Sequence, residues 1–295
     1  MLDLTPVTDG FVAEVAGLDL TQPMSPDLKH ALRKALDEYA VLVIPDQPLD
    51  EEQQLRVAEV YGPLETSVGS YIASENKPRR LKHAQLSDIS NLDEQGKLIG
   101  DADIRRLLLL SNQLWHTDSS FKQTPASASL LNAQEVSPVG GATEFADMRA
   151  AWDHLDAATQ AQIQGLIAIH DYFHSRRLLG LGDLDIPVEW RARQPPVRQM
   201  LVRNNAHNQR KSLYLASHIA GIEGMDEQES RALLERLMAF ATQPQFVYRH
   251  RWRPNDLVIW DNRCTMHRGT NYNQKYRRAM RRATAQDIGP TVPTQ

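Results

Sequence analysis

Leu114-Trp115-His116-Thr117-Asp118-Ser119-Ser120-Phe121 is the stretch around which the rest of the chain arranges itself. Read as an extended strand, it turns His116 and Asp118 to the same face, because side chains alternate across the pleat. An imidazole and a carboxylate presented together make two corners of a metal site. The third corner calls for another histidine, which a fold can bring from far along the chain. Trp260-Asp261-Asn262-Arg263-Cys264-Thr265-Met266-His267-Arg268 supplies His267. His-x-Asp alone is a weak signal, equally expected of a capped turn with a partly exposed histidine. Its weight depends on what stands around it.

The chain has 295 residues, 41% hydrophobic and 24% charged, which points to a globular protein and away from a disordered or fibrous one. That length exceeds an average domain but suits a β-barrel or sandwich with insertions. A net charge of −4 gives no ground for general affinity to nucleic acid or membranes. The single cysteine, Cys264, excludes an intrachain disulfide framework and fits a reducing compartment. A lone cysteine reads first as a small packed side chain. Met1-Leu2-Asp3-Leu4-Thr5 is not a basic segment leading into an apolar core, so no signal peptide and a cytoplasmic location are expected. No apolar run is long enough to span a membrane, and no internal repeat is visible.

Working outward, the first block reads as strand, helix, strand. Ser25-Pro26 offers an N-cap residue and a proline at the first helical position, followed by Leu28, Leu32, Ala35 and Leu36 at helical spacing. Val41-Leu42-Val43-Ile44 is a short apolar strand, and a second helix from Asp50 carries Leu55, Ala58 and Tyr61 up to Gly62-Pro63. Residues 66–106 show little periodicity and are rich in polar and basic side chains, Lys77, Arg79, Arg80, Lys82 and His83 among them. A stretch that long in a compact domain reads as a lid, a binding loop or a disordered insert, and its basic members either meet an anion or belong to an ordinary solvated loop. Beyond it, strands are expected at Ser127–Leu131, after Gly140-Gly141, at Phe246–His250 and Asp256–Trp260, around Met266 and at Arg278–Ala283. Helices are expected over Asp147–Leu155, Ala157–Ile169 and Met225–Thr242, the last with Leu233, Leu234, Leu237, Met238 and Phe240 as its apolar set. The chain is thus mainly β with helical insertions, and the pattern suggests a jelly-roll core.

Two histidines and one carboxylate on one face of a metal describe the facial triad of non-haem Fe(II) oxygenases, which leaves coordination positions open. Ten residues after His267 comes Arg278, in Tyr276-Arg277-Arg278-Ala279-Met280-Arg281-Arg282. On a strand, Arg278 and Arg282 share a face roughly 13 Å apart at about 3.3 Å per residue. Two guanidinium forks at that separation suit two different carboxylates. The bland alternative is a basic edge strand that discourages aggregation, a reading that applies best to Arg277 and Arg281.

His116-Thr117-Asp118, the distal His267 and Arg278 together resemble the signature of the Fe(II)/2-oxoglutarate-dependent dioxygenases. Gly140-Gly141-Ala142-Thr143-Glu144-Phe145 is similar to a segment of the taurine dioxygenase branch. Ser111 to Phe121, Phe246-Val247-Tyr248-Arg249-His250-Arg251-Trp252, Trp260-Asp261-Asn262-Arg263 and the arginine-rich strand more closely resemble the 2,4-dichlorophenoxyacetate (aryloxyalkanoate) dioxygenases. The likeness covers most of the chain and is weakest over residues 66–106. It implies a double-stranded β-helix core in a single domain over 1–295, with 66–106 as a substrate lid. It implies Fe(II) on His116, Asp118 and His267, and the distal carboxylate of 2-oxoglutarate on Thr143 and Arg278. Arg282 matches the position that meets the substrate's acidic group. The implied reaction uses O2 and 2-oxoglutarate to hydroxylate the carbon between ether oxygen and carboxylate of an aryloxy acid. The product collapses to a phenol and glyoxylate, alongside succinate and CO2. Relatives of this kind are commonly homo-oligomeric.

Rival readings have sequence features against them. A zinc hydrolase with the same ligands has no need of a fixed arginine or of the Gly-Gly-x-Thr segment. A non-enzymatic sensor of the same fold sits poorly with an intact triad. Within the oxygenases, an alkylsulfonate (taurine-like) or alkyl-sulfate substrate is the runner-up. His170 and His174 have zincin spacing but no evident third ligand, and Gly180-Leu181-Gly182 lacks the third glycine of a nucleotide fingerprint. His207 and His218 read first as ordinary surface or hydrogen-bonded histidines, with lining of the substrate pocket as the alternative, and Trp115 and Trp260 read as packing around the metal.

Overall fold

The structure is a computed structural model that describes residues 2–72, 79–100, 103–180, 182, 187–205 and 208–293. Lys77 and His207 lie outside the described residues. The chain is mainly sheet, with helices packed on the outside.

The major sheet has seven strands, in the spatial order Asp3–Thr8, Val12–Ala16, Val41–Ile44, Leu257–Asp261, Ala126–Glu135, Ala279–Gln286 and Leu86–Ser90. All its pairings are antiparallel except that of Val12–Ala16 with Val41–Ile44. The period of two sorts its side chains. Leu42, Ile44, Leu130, Leu257, Ile259 and Ala283 face a core shared with helices Pro26–Tyr39 and Glu51–Ala58. Their neighbours Val41, Val43, Leu131, Val258, Trp260 and Met280 face the other way and meet Phe145.

Phe145 belongs to a second sheet of three strands, Val247–His250, Thr143–Asp147 and Thr265–Gly269. Its ring lies 5.5 Å from that of Trp260, so the two sheets pack face to face. The outer face of this smaller sheet carries Ala146 and Met266, covered by Leu233 and Leu237 of helix Glu227–Ala241. Helix starts follow the sequence: Ser25 accepts from the Leu28 amide, and Asp50 and Gln53 close a capping box.

Three expectations change. The helix expected over Ala157–Ile169 stops at Ile163, because Gly165 adopts φ +91° and the chain resumes as strand Ile167–His170. Residues 66–106 contain helix Val68–Ile72 and strand Leu86–Ser90, the latter closing one edge of the major sheet. Ala279–Gln286 is therefore an interior strand. Arg281 on it is buried, donating to Gln54 Oε1 and the Leu49 carbonyl, so the basic-edge reading does not apply to it. Arg277 precedes the strand and pairs with Glu135.

Candidate metal centre and its two chambers

His116 and Asp118 do not sit on a regular strand. His116 forms a single antiparallel bridge with His267, their amides and carbonyls exchanging bonds of 3.0 and 2.8 Å. The chain then turns at Asp118, with Ser119 at φ +53°. Thr117, between the two, turns away and donates to the Leu215 carbonyl. The alternation expected of a strand is kept over those three residues alone.

The bridge brings the three side chains together. His116, Asp118 and His267 are all buried and each offers a ligand atom, the set lying within 4.8 Å of one another. Among the described residues this is the one such cluster. His116 Nε2 and His267 Nε2 are each 3.8 Å from an Asp118 oxygen. His116 Nδ1 lies 2.7 Å from the Leu114 carbonyl, which fixes that nitrogen as the donor and turns the Nε2 lone pair inward. Burial drives both imidazoles down, His267 well below its ordinary range, so both are neutral and able to ligate. Burial acts upward on Asp118, but it is outweighed, and with the two rings neutral the Arg282 charge and a Ser129 hydrogen bond are what hold the carboxyl below its usual range. Ser129 Oγ donates to Asp118 Oδ2 at 2.7 Å and accepts from Asn262 Nδ2 at 2.9 Å. Asn262 Oδ1 accepts from Trp260 Nε1 and from the Asp118 amide. Two imidazole nitrogens and a carboxylate on one side, with the rest open, fit Fe(II).

Two chambers meet at this cluster. The smaller, of about 230 Å³, is lined by Thr143, Trp260, His267, Tyr272 and Arg278, with His116 and Arg282 at the junction. Arg278 is buried and pairs with no carboxylate among the described residues; its Nη2 is 3.5 Å from the Gly141 carbonyl, and Tyr272 lies under its guanidinium at 5.3 Å. Trp252 Nε1 donates to Thr143 Oγ1 at 3.0 Å, leaving the Thr143 hydroxyl hydrogen free to point elsewhere. Gly140 and Gly141 adopt φ +75° and +73°, and a Cβ on Gly141 would stand 3.3 Å from Arg278 Nε. The glycine pair thus allows the backbone to close against the guanidinium. A buried cation without a counter-charge among the described residues, beside a hydroxyl and next to the cluster, is chemically suited to receive a carboxylate.

The larger chamber, of about 1080 Å³, is walled by Phe121, Tyr172, Trp190 and His218, and by parts of 66–106 including Ser67, Val68 and Ile89. Phe121 meets Tyr172 and His218 edge-on at 4.7 and 4.8 Å. Arg282 faces both chambers, its Nη1 2.5 Å from Asp118 Oδ1. His218 therefore does line the pocket. His170 is fully buried at the end of its strand against Tyr214, and joins no metal cluster among the described residues. Ser129, Asn262 and Trp252 were not picked out for these roles from sequence. Asn262 and Trp252 stand in segments that carry the family likeness, whereas Ser129 sits in an ordinary strand with no motif to mark it.

The chain matches the family described as "Taurine catabolism dioxygenase TauD, TfdA family" over residues 3–284. It is 44% identical over 278 residues to the alpha-ketoglutarate-dependent 2,4-dichlorophenoxyacetate dioxygenase of Cupriavidus pinatubonensis, covering 94% of this chain and 95% of that protein. It is 36% identical over 296 residues to the (S)-phenoxypropionate/alpha-ketoglutarate-dioxygenase of Sphingobium herbicidovorans, covering 94% and 92%. The crystal structure of AAD-2 in complex with Mn(II) and N-oxalylglycine superposes with a TM-score of 0.94 at 44% identity over 99% of each chain. Likeness of this extent involves the sheets, the helices and the cluster together and cannot come from one shared segment. The chain belongs to the TauD/TfdA family of dioxygenases.

Proposed function

We propose that this protein is an Fe(II)- and 2-oxoglutarate-dependent dioxygenase that hydroxylates an aryloxyalkanoic acid such as 2,4-dichlorophenoxyacetate. The observation that carries this is the buried, acid-free Arg278 beside Thr143 in a chamber that opens on the His116–Asp118–His267 cluster. A metal hydrolase has no use for such a receptor.

In this reading His116, Asp118 and His267 hold Fe(II), and Thr143 and Arg278 hold the distal carboxylate of 2-oxoglutarate. With O2, the loaded centre supplies an oxidant that inserts one oxygen atom into a C–H bond, the other entering succinate as CO2 leaves. The residues do the positioning. Ser129 and Asn262 keep the Asp118 carboxylate in place, and the Leu114 carbonyl keeps the His116 ring turned. Arg282, where the chambers join, meets the acid end of the organic substrate and holds its methylene toward the cluster. Phe121, Tyr172 and Trp190 give the aryl ring an apolar wall. Hydroxylation of that methylene gives a hemiacetal, which releases a phenol and glyoxylate.

The two facing sheets form a double-stranded β-helix (jelly-roll) core of one domain spanning 1–295, with 66–106, apart from its sheet strand Leu86–Ser90, as the substrate lid. The small organic acid is its partner, and the protein works in the cytoplasm as a homo-oligomer. Among the described residues no helix is long and apolar enough to cross a membrane.

The test is incubation with Fe(II), 2-oxoglutarate and 2,4-dichlorophenoxyacetate in air. Succinate and 2,4-dichlorophenol should appear in equal amounts. Succinate formed only with an alkylsulfonate or alkyl sulfate would move the substrate to that class. No succinate with any member of the panel would overturn the assignment.

A further inference from the structure

The larger chamber holds a guanidinium that the reaction above does not use. Arg176 lies on the short helix His174–Arg177 and lines the aromatic wall. Its Nη1 donates to the Tyr172 carbonyl at 2.9 Å and to Ser175 Oγ at 2.8 Å, and the guanidinium carbon sits 3.7 Å from the centre of the Tyr172 ring. Those contacts hold the planar group in one orientation. They leave the Nε–Nη2 edge, on which Nε is buried with no partner.

The other arginines facing this chamber are committed. Arg80 is matched by Asp88, Arg105 by Asp103 and Glu94, and Arg282 by Asp118. Arg79 is exposed and donates to main-chain carbonyls. Arg176 is paired with no carboxylate among the described residues. The Tyr172 ring on which it rests lies 6.3 Å from the His218 ring, which lies 6.2 Å from that of His116, so the guanidinium and the metal corner share one aromatic wall. A half-buried cation fixed in place, with Nε sealed away unpaired and Nη2 without a hydrogen bond, is disfavoured until an anion or ordered water meets it.

We infer that Arg176 is a residue by which this chamber selects acids over neutral molecules, taking the substrate's carboxylate on Nη2. Arg282 reaches the same acid group from the metal side, with its charge already drawn toward Asp118. The aryl ring then lies along Phe121 and Trp190. This inference rests on the larger chamber being the organic-acid site.

The experiment is calorimetric titration of protein loaded with Mn(II) and N-oxalylglycine, which cannot turn over. The ligands are 2,4-dichlorophenoxyacetate and its neutral counterpart 2-(2,4-dichlorophenoxy)ethanol. Wild type should bind the acid about 30- to 100-fold more tightly than the alcohol, the range of a charged hydrogen-bonded pair. Arg176→Gln should cut that preference about tenfold, the remainder coming from Arg282, and leave affinity for the alcohol and for N-oxalylglycine unchanged. Arg176→Lys, which keeps the charge and loses the fork, should lie between, and it serves as the readout should Arg176→Gln not fold. An acid-to-alcohol ratio unchanged in both variants overturns the inference, as does a wild type that does not distinguish the two. If wild type binds neither aryloxy compound, the same comparison is made with an alkylsulfonate and the matching alcohol. A reduced preference in Arg176→Gln would then sustain the anchor and remove the aryloxy reading, whereas an undiminished preference sinks the anchor.

Discussion

Asp118 is held from two sides by side chains of different kinds, and the difference has measurable consequences. Ser129 donates to one oxygen through a relay that Asn262 and Trp260 keep in register, while Arg282 donates to the other. Ser129→Ala removes the relay without touching a ligand, so Mn(II) affinity should fall about 10- to 100-fold while the three ligands stay in place. A metal titration with unchanged affinity would mean that Arg282 alone sets the carboxylate. The two strand arginines should separate by substrate. Arg278→Ala should chiefly raise KM for 2-oxoglutarate and Arg282→Ala chiefly that for the organic acid, and steady-state kinetics with the effects exchanged would reverse both roles. His170 makes a different kind of prediction, since it takes no part in the reaction. Both its ring nitrogens are buried without partners, and burial lowers its pKa to about 3. In the unfolded chain it titrates near the ordinary value of about 6.5. Above that, neither state binds the proton. As pH falls below it only the unfolded state does, so folding stability is lost at up to about 1.4 kcal/mol per pH unit until the folded-state pKa is reached. His170→Leu should flatten the decline of Tm between pH 6.5 and 4. A slope identical to wild type would show that other groups carry the acid sensitivity.

At the scale of elements, the Gly140–Gly141 turn is the tightest constraint on the smaller chamber. Gly141 combines φ +73° with a position 3.3 Å from Arg278 Nε for any added Cβ. Gly141→Ala therefore strains the turn and pushes Arg278 aside, and KM for 2-oxoglutarate should rise several-fold while that for the organic acid changes little. Binding of N-oxalylglycine as tight as in wild type would show that the arginine yields without cost. This turn was legible in the sequence because two adjacent glycines announce backbone that no other residue adopts easily. The sheets were legible for a related reason: Val41 to Ile44 and Leu257 to Trp260 are apolar at every position, as strands buried on both faces must be. Other elements were hidden. The helix after Ala157 looked longer than it is, since Ile167 and Ile169 continue an apolar pattern that helix and strand share over so short a run. Strand Leu86–Ser90 is an edge with half-buried polar residues, and its partner lies nearly two hundred positions away in sequence. Arg176 stood in a basic Ser175-Arg176-Arg177 run with nothing to mark it. Only the stacking on Tyr172 and the absence of an acid partner set it apart from Arg177, which pairs with Asp171.

For the molecule as a whole, the cluster is a junction between the two facing sheets, which also meet through packing and through bonds such as those of Arg149 to the Glu38 and Gly10 carbonyls. His116 and Asp118 come from the segment that leads into the long central strand Ala126–Glu135 of the major sheet, and His267 comes from the smaller sheet. A metal ion bound to all three ties the two sheets together at the mouth of both chambers. Such a bond exists only in the folded state, because no unfolded chain holds His116, Asp118 and His267 within 4.8 Å of one another. Metal should therefore stabilise the fold by mass action, by about 2.7 kcal/mol at a concentration a hundred times its Kd. For a chain of this size that corresponds to a rise in Tm of several degrees. Without metal the Asp118 carboxylate keeps the Arg282 ion pair and the Ser129 hydrogen bond, so the apoprotein should stay folded and melt cooperatively. The measurement is thermal denaturation with EDTA and with increasing Mn(II), on wild type and on His267→Ala. The variant should lose the metal-dependent rise, and its own melting temperature should fall somewhat below that of the wild-type apoprotein, since the buried ring it removes packs 4.6 Å from Trp260 and 6.1 Å from Phe145. A rise that survives in His267→Ala would place the stabilising ion elsewhere. Absence of any rise in wild type would mean that the three side chains, though gathered, do not close on a metal.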